Sequence, residues 1–263
     1  MRNKRGIEFS FGWIFAIVVG AAILFLSIYA STKLIGQNKA KEQGILSQQL
    51  GVILSSAETG SEDVLSSRPI EMPDLSRIIF GCSTEKAFGS QTISVLTRSS
   101  LNKEWEDSQV NVTFYNKYIF SSGISEGKRF YVFSKPFIFP YKIADLLYVI
   151  SDKQRYCFIE PPNVVEQEIG NLESLKPVIN ITTMADSNKC PIGASKVCFE
   201  FNEQWCDISI DLDSRTVKKK NKPLVYYISL DESDYALLYA AIFSDEKMYN
   251  CQLIRLMKRA SEL

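Results

Sequence analysis

Apolar and polar positions alternate very differently along this chain, and the contrast divides it into a membrane part and a body. Residues 9–32, FSFGWIFAIVVGAAILFLSIYAST, carry no charged side chain. At a helical rise of about 1.5 Å per residue the run is about 36 Å long, enough to cross a hydrocarbon core of about 30 Å with some tilt. It exceeds the apolar core of a secretory signal, and Ile28 stands where cleavage after Ala30 needs a small residue. The run therefore reads as a retained transmembrane helix, with Trp13 and Tyr29 as interfacial aromatics near its ends. The pattern after it predicts an amphipathic stem over 33–58, striped by Leu46, Leu50, Ile53 and Leu54 and loosened by Gly36, Gly44 and Gly51. Residues 59–75 read as a linker, and 76–263 as the folded body.

Within the body, runs rich in β-branched and aromatic residues predict strands over 76–82, 91–97, 110–120 and 128–139, with Pro136 placing the last at an edge or bend. The segment 141–152 predicts a short helix, 155–160 a strand, and 163–175 an amphipathic helix opened by Pro161 and Pro162. A second group of strands is expected over 177–183, 196–201, 206–212 and 222–230. The chain closes on a long amphipathic helical pattern over 231–263, whose apolar face is Leu238, Ile242, Tyr249, Leu253 and Met257. The fold class expected is α+β, with helices packed on a mixed or antiparallel sheet. LLYVISDKQRYC (146–157) and LLYAAIFSDEKMYNC (237–251) resemble one another, but their surroundings do not match and the likeness reads as chance.

Charge adds little about partners: Lys plus Arg and Asp plus Glu are 30 each, giving no reason to expect nucleic acid. The absence of histidine excludes Ser-His-Asp and Cys-His arrangements and the HExxH zinc site. Around the span, Arg2, Lys4 and Arg5 crowd the short basic end 1–8, whereas Lys39 and Lys41 lie farther off on the other side, which favours a cytoplasmic N-terminus. Two features place the body outside the cytoplasm. All six cysteines, Cys82, Cys157, Cys190, Cys198, Cys206 and Cys251, follow the span and suit disulfides, and so do the glycosylation sequons at Asn111 and Asn180. Cys198 and Cys206 flank a polar turn and are placed to meet across a hairpin; other pairings stay open.

Candidate chemistry is sparse. Cys190, Cys198 and Cys206 are eight apart and lack the close pair that a zinc site needs. Asp207, Asp211 and Asp213 share a strand face and read as solvated rather than as a calcium site. Lys218, Lys219, Lys220 and Lys222 read as a solvated hairpin tip. No phosphate loop, dinucleotide fingerprint or nucleophile elbow occurs, so no catalytic, cofactor or metal residue is assigned and no enzyme is expected. Gly12, Ala16 and Gly20 recur on one face of the span and would permit close helix–helix association.

The opening MRNKRGIEFSFGWIFAIVVGAAILFL, with Arg5-Gly6-Ile7 at the position of a processing site, resembles the start of archaeal type IV pilin-like proteins. That resemblance implies a retained hydrophobic helix carrying a β-rich head in a filament. With SKPFIFPYKIADLLYVISDKQRYCFIEPP and YAAIFSDEKMYNCQLIRLMKR, the chain is also similar to uncharacterised single-span membrane proteins of small-genome archaea, a likeness that implies no activity. The expected function is a membrane-anchored binding or envelope-structural module whose protein or surface-polymer ligand is not defined. A pilin-like filament subunit and a carboxylate-based hydrolase are the alternatives.

Overall fold

The computed structural model describes residues 12–33, 68–85, 87–98, 105–106, 111–200, 204–229 and 234–262. Two compact units are distinguished, Met1–Glu42 and Gln43–Leu263. In the first, Gly12–Lys33 forms one apolar helix, α1, with a mean hydropathy of 2.4 and no buried residue, long enough to cross a membrane. The stem over 33–58 lies outside the described residues except for Lys33, which ends α1.

The second unit is α+β, with two sheets. Sheet A contains β1 (Arg68–Ser83), β2 (Ser90–Arg98), β3 (Trp105–Glu106), β4 (Val112–Phe114), β5 (Tyr118–Phe120), β6 (Ile124–Ile138) and β7 (Lys142–Ser151). Its order is β3-β2-β1-β6-β7-β5, with β4 also beside β2. Every pairing is antiparallel except the parallel pair of β5 with β7. β1 starts at Arg68, inside the stretch read as linker, and bulges between Glu71 and Ser76 against β6.

Two departures from the sequence reading concern this sheet. Residues 142–151 form a strand where a helix was expected. β7 lies between β6 and β5 and Leu146–Ser151 are all buried, so both faces are apolar and the period-two signal is erased. The stretch 110–120 is two short strands rather than one, and they lie at opposite edges of the sheet, β4 against β2 and β5 against β7. The link from Phe114 to Tyr118 spans at most about 14 Å of extended chain, so the two edges must approach each other. Sheet A is therefore curled nearly closed. Its inner face holds Ile78, Phe80, Ile93, Val95, Ile119, Phe130, Val132, Leu147 and Val149, each 5 % exposed or less. Pro136 pairs with Asp145 of β7 in a part of β6 beyond its last described partner on β1, where a missing N–H costs no ladder bond on that side.

The seam of the curled sheet is closed by the C-terminal helix. The pattern over 231–263 is two helices, α3 (Ala236–Phe243) and α4 (Glu246–Glu262). The break falls at Asp245, whose Oδ1 accepts the Met248 N–H at 2.8 Å as an N-cap while its Oδ2 accepts the Gly123 N–H at 2.7 Å. From α4, Gln252 donates to Gln91 Oε1 on β2 and to Ile119 O on β5, so one side chain bridges the two sides of the seam. One turn on, Arg255 is fully buried. Its guanidinium donates to Phe88 O (3.0 Å), Tyr115 O (2.9 Å), Lys117 O (2.8 Å) and Gln252 Oε1 (2.7 Å), and stacks 4.8 Å from the Tyr118 ring centroid. The carbonyls of Tyr115 and Lys117 belong to the link between β4 and β5. Gly89, at φ +63°, lets the neighbouring loop approach; a Cβ there would lie 2.9 Å from Arg255 Cγ and 2.2 Å from Ser83 O. A disulfide between Cys82 at the end of β1 and Cys251 fastens α4 to the same region.

Sheet B follows in sequence, with β8 (Tyr156–Ile159), β9 (Ile179–Thr182), β10 (Ser195–Phe199), β11 (Ile208–Asp211), β12 (Thr216–Lys219) and β13 (Leu224–Tyr226) in the order β13-β12-β11-β10-β8-β9. The four strands β9, β8, β10 and β11 are parallel, and β12 and β13 add antiparallel edges. The helix α2 (Asn163–Gly170) crosses from β8 to β9 and buries Val165 and Ile169. It ends before residue 175, and a 3-10 turn over Glu173–Leu175 completes the segment. The inner face of sheet B, the outer face of sheet A, α2 and α3 share one core rich in aromatic rings. α3 is buried on every side, and its Phe243 packs edge-on against Phe133 (5.7 Å) and Tyr156 (5.0 Å).

Replacing Arg255 by Met removes the donors from the Phe88, Tyr115 and Lys117 carbonyls while keeping bulk. We expect a loss of about 3 kcal/mol or more of unfolding free energy, read from the denaturant midpoint. A loss under about 1 kcal/mol would show that the seam does not depend on this side chain.

Candidate functional site

The parallel strands of sheet B end together, and a cleft of about 510 Å³ opens there. Glu160 follows β8 directly, Glu200 follows β10, and Leu212 and Asp213 follow β11; all four line the cleft, together with Arg215, Tyr227, Ser229 and Tyr235. The loop after β8 leads to α2 on the side of the shared core, whereas the loop after β10 leads to Trp205 and Cys206 on the opposite face of the sheet. Adjacent parallel strands whose connections leave to opposite faces open a crevice at their carboxyl ends, the usual ligand position in open α/β sheets.

Backbone geometry marks the same place. Glu160 (φ 50°), Glu200 (φ 61°) and Arg215 (φ 53°) hold left-handed conformations that glycine adopts without strain, at a cost of about 1 kcal/mol each. Side-chain and backbone bonds hold them there. Glu160 Oε1 accepts the Met184 N–H at 3.3 Å, the Glu200 N–H reaches Ile210 O at 2.8 Å, and Arg215 Nη1 donates to Ser229 O at 2.8 Å. Burial pushes the Tyr227 hydroxyl up to about 12, with Tyr235 adding to the shift, so it stays a neutral hydrogen-bonding group in the cleft wall. Three carboxylates and one guanidinium make the cleft a net acceptor of positive charge.

The residues singled out from sequence lie elsewhere, with the exception of Asp213. The six cysteines form three disulfides, Cys82–Cys251, Cys157–Cys190 and Cys198–Cys206. The last does not cross a hairpin: β10 and β11 run parallel, with Val197 beside Ile208, and the disulfide closes the short return between them. Together with Cys157–Cys190 it covers the outer face of sheet B around Ile159. Asn111 is exposed before β4, where its Oδ1 accepts from Ser94 Oγ, and Asn180 is exposed on the edge strand β9. Gly12, Ala16 and Gly20 lie on exposed α1, and a Cβ at Gly20 would touch nothing within 4 Å.

Asp207, Asp211 and Asp213 do not act together. Asp207 Oδ2 accepts the Lys196 N–H at 2.9 Å. Asp211 Oδ1 accepts the Ser214 N–H at 2.8 Å, a bond that holds its carboxyl below the usual range. Of the lysine run, Lys218, Lys220 and Lys222 are exposed around the β12–β13 turn, but Lys219 turns inward and donates to Ser244 O. Among the described residues no group of acidic and sulfur side chains is arranged to hold a metal ion. In comparisons with known proteins, no family model, no curated protein and no solved structure matches the chain.

Glu160 and Glu200 were the residues that sequence reasoning missed. Each ends a buried apolar run, in CFIE and VCFE, and a carboxylate immediately after a buried parallel strand is the signal that could have found them. If strain at Glu200 is retained for the cleft, Glu200→Gly should raise unfolding free energy by up to about 1 kcal/mol while removing a cleft carboxylate. Chemical denaturation of the variant measures this, and a destabilisation would mean that the Glu200 side chain supports the fold instead.

Proposed function

We propose that this chain is a single-span membrane protein that displays a disulfide-bonded α+β binding module outside the cytoplasm, with its amino terminus inside. The observation that carries this reading is the pairing of all six cysteines in a body that follows an apolar helix of spanning length. Such pairings persist in oxidising surroundings and not in the reducing cytoplasm. The cleft at the ends of β8, β10 and β11 supplies the binding surface, and its excess of carboxylates suits a ligand that presents a positive group, such as an amine-bearing protein segment or surface polymer. No catalytic step is assigned to it. The span contributes the lipid partner, and Gly12, Ala16 and Gly20 are where a second span would pack.

A carboxylate-based hydrolase is the second reading, favoured by one observation: Glu160, Glu200 and Asp213 line a single cleft. General acid–base work requires two such groups facing one bond. A pilin-like subunit is separated from the main reading by the mature N-terminus, since Ile7 as the first residue would favour the filament.

Labelling with a membrane-impermeant amine reagent tests the orientation. In intact cells, peptides carrying the exposed Lys128 and Lys218 should be labelled to the same extent as in lysed cells. Labelling that appears only after lysis would place the body in the cytoplasm and overturn the reading.

A further inference from the structure

At the end of sheet B opposite the carboxylate cleft lies a second cleft, of about 430 Å³, beside the first residue of β8, Tyr156. Lys219 reaches it from β12, where it stands opposite Ile208, the first residue of β11. Its ammonium donates to Ser244 O at the end of α3. An ammonium has three N–H donors, so two are left for other acceptors. No carboxylate of the described residues forms an ion pair with it. The nearby Asp245 has one oxygen committed to the Gly123 N–H and the other to the Met248 N–H. Tyr156, Val225 and Phe243 give the cleft apolar and aromatic walls, and its charged lining groups are Lys219, Lys222 and Lys247 against Asp245 and Glu246, one positive charge in excess.

A mostly buried cation whose hydrogen bond goes to a neutral carbonyl is costly, and a ligand anion would offset that cost. Burial lowers the Lys219 pKa to about 8, and the Asp245 carboxylate opposes that shift only in part. The apolar and aromatic part of the lining suits a ligand with an apolar body as well as a negative end.

We propose that this second cleft binds a small organic anion, an apolar carboxylate in class, with the Lys219 ammonium as its charge partner. The site is independent of the carboxylate cleft and takes the opposite charge.

Benzoate is the probe, with benzyl alcohol as its uncharged counterpart and inorganic phosphate as an anion without an apolar body. In the full chain in neutral detergent, ligand-observed NMR should show benzoate binding at least tenfold tighter than either control. Lys219→Met should weaken benzoate by at least tenfold, and Lys218→Met should leave it unchanged. Equal binding of benzyl alcohol would reduce the cleft to an apolar hollow, equal binding of phosphate would remove the role of the walls, and unchanged binding to Lys219→Met would place benzoate elsewhere. Each of these overturns the proposal. A measurement on the unaltered chain guards against misfolding of the variant: benzoate should slow acetylation of Lys219 by acetic anhydride at least fivefold, read by peptide mass, without slowing that of Lys218. Unchanged acetylation of Lys219 would overturn the proposal on its own.

Discussion

The body depends on closing the seam of a curled sheet. Sheet A ends in β4 on one side and β5 on the other, joined by a link of three residues, and both edges would expose backbone groups if the sheet lay open. α4 supplies the closure with two polar side chains rather than apolar ones. Gln252 ties β2 to β5, and Arg255 gathers three backbone carbonyls from two loops that no strand could pair. Charge-assisted bonds to carbonyls are among the stronger neutral-acceptor contacts, and the guanidinium fork reaches several at once as an ammonium could not. The Cys82–Cys251 disulfide, with a sequence separation of 169, removes about 5 kcal/mol of chain entropy from the unfolded state in the loop-closure picture and holds the same helix in place.

Sheet B solves a different problem. Parallel strands are buried on both faces, commonly by helices. Here α2 and α3 cover one face, and two disulfides with Trp205 cover the other. Covering a face with covalent links suits a small body in oxidising surroundings. It also leaves both ends of the sheet open, one lined by three carboxylates and an arginine and the other by three lysines and two carboxylates. The two clefts of opposite charge follow from the topology and not from any single motif.

How much of this could be read from the residues is shown best by two similar stretches. LLYVIS folds as β7 and LLYAAIF as α3, although both read as helical. The difference is local: β-branched Val149 and Ile150 favour a strand, Ala240 and Ala241 a helix. Both are buried on all sides, so neither keeps a one-sided period. The apolar helix, the α+β class and most strands of sheet B were legible because their patterns are strong or bounded by turn residues. The division of 110–120 between two sheet edges was not, because only the Tyr115 and Lys117 carbonyls, held by a residue far along the chain, reveal it. The carboxylate cleft was hidden for the same reason. Glu160 and Glu200 meet only after β8 and β10 have been placed side by side.

The proposed orientation and the covering of the outer face of sheet B rest on oxidised cysteines, and the closure of sheet A is reinforced by one such pair. The most direct test is peptide mapping of the full chain isolated from cells in detergent under thiol-blocking conditions without reduction. The account predicts three cross-linked peptide pairs, joining Cys82 to Cys251, Cys157 to Cys190 and Cys198 to Cys206, and no blocked thiol. Six blocked cysteines would contradict it.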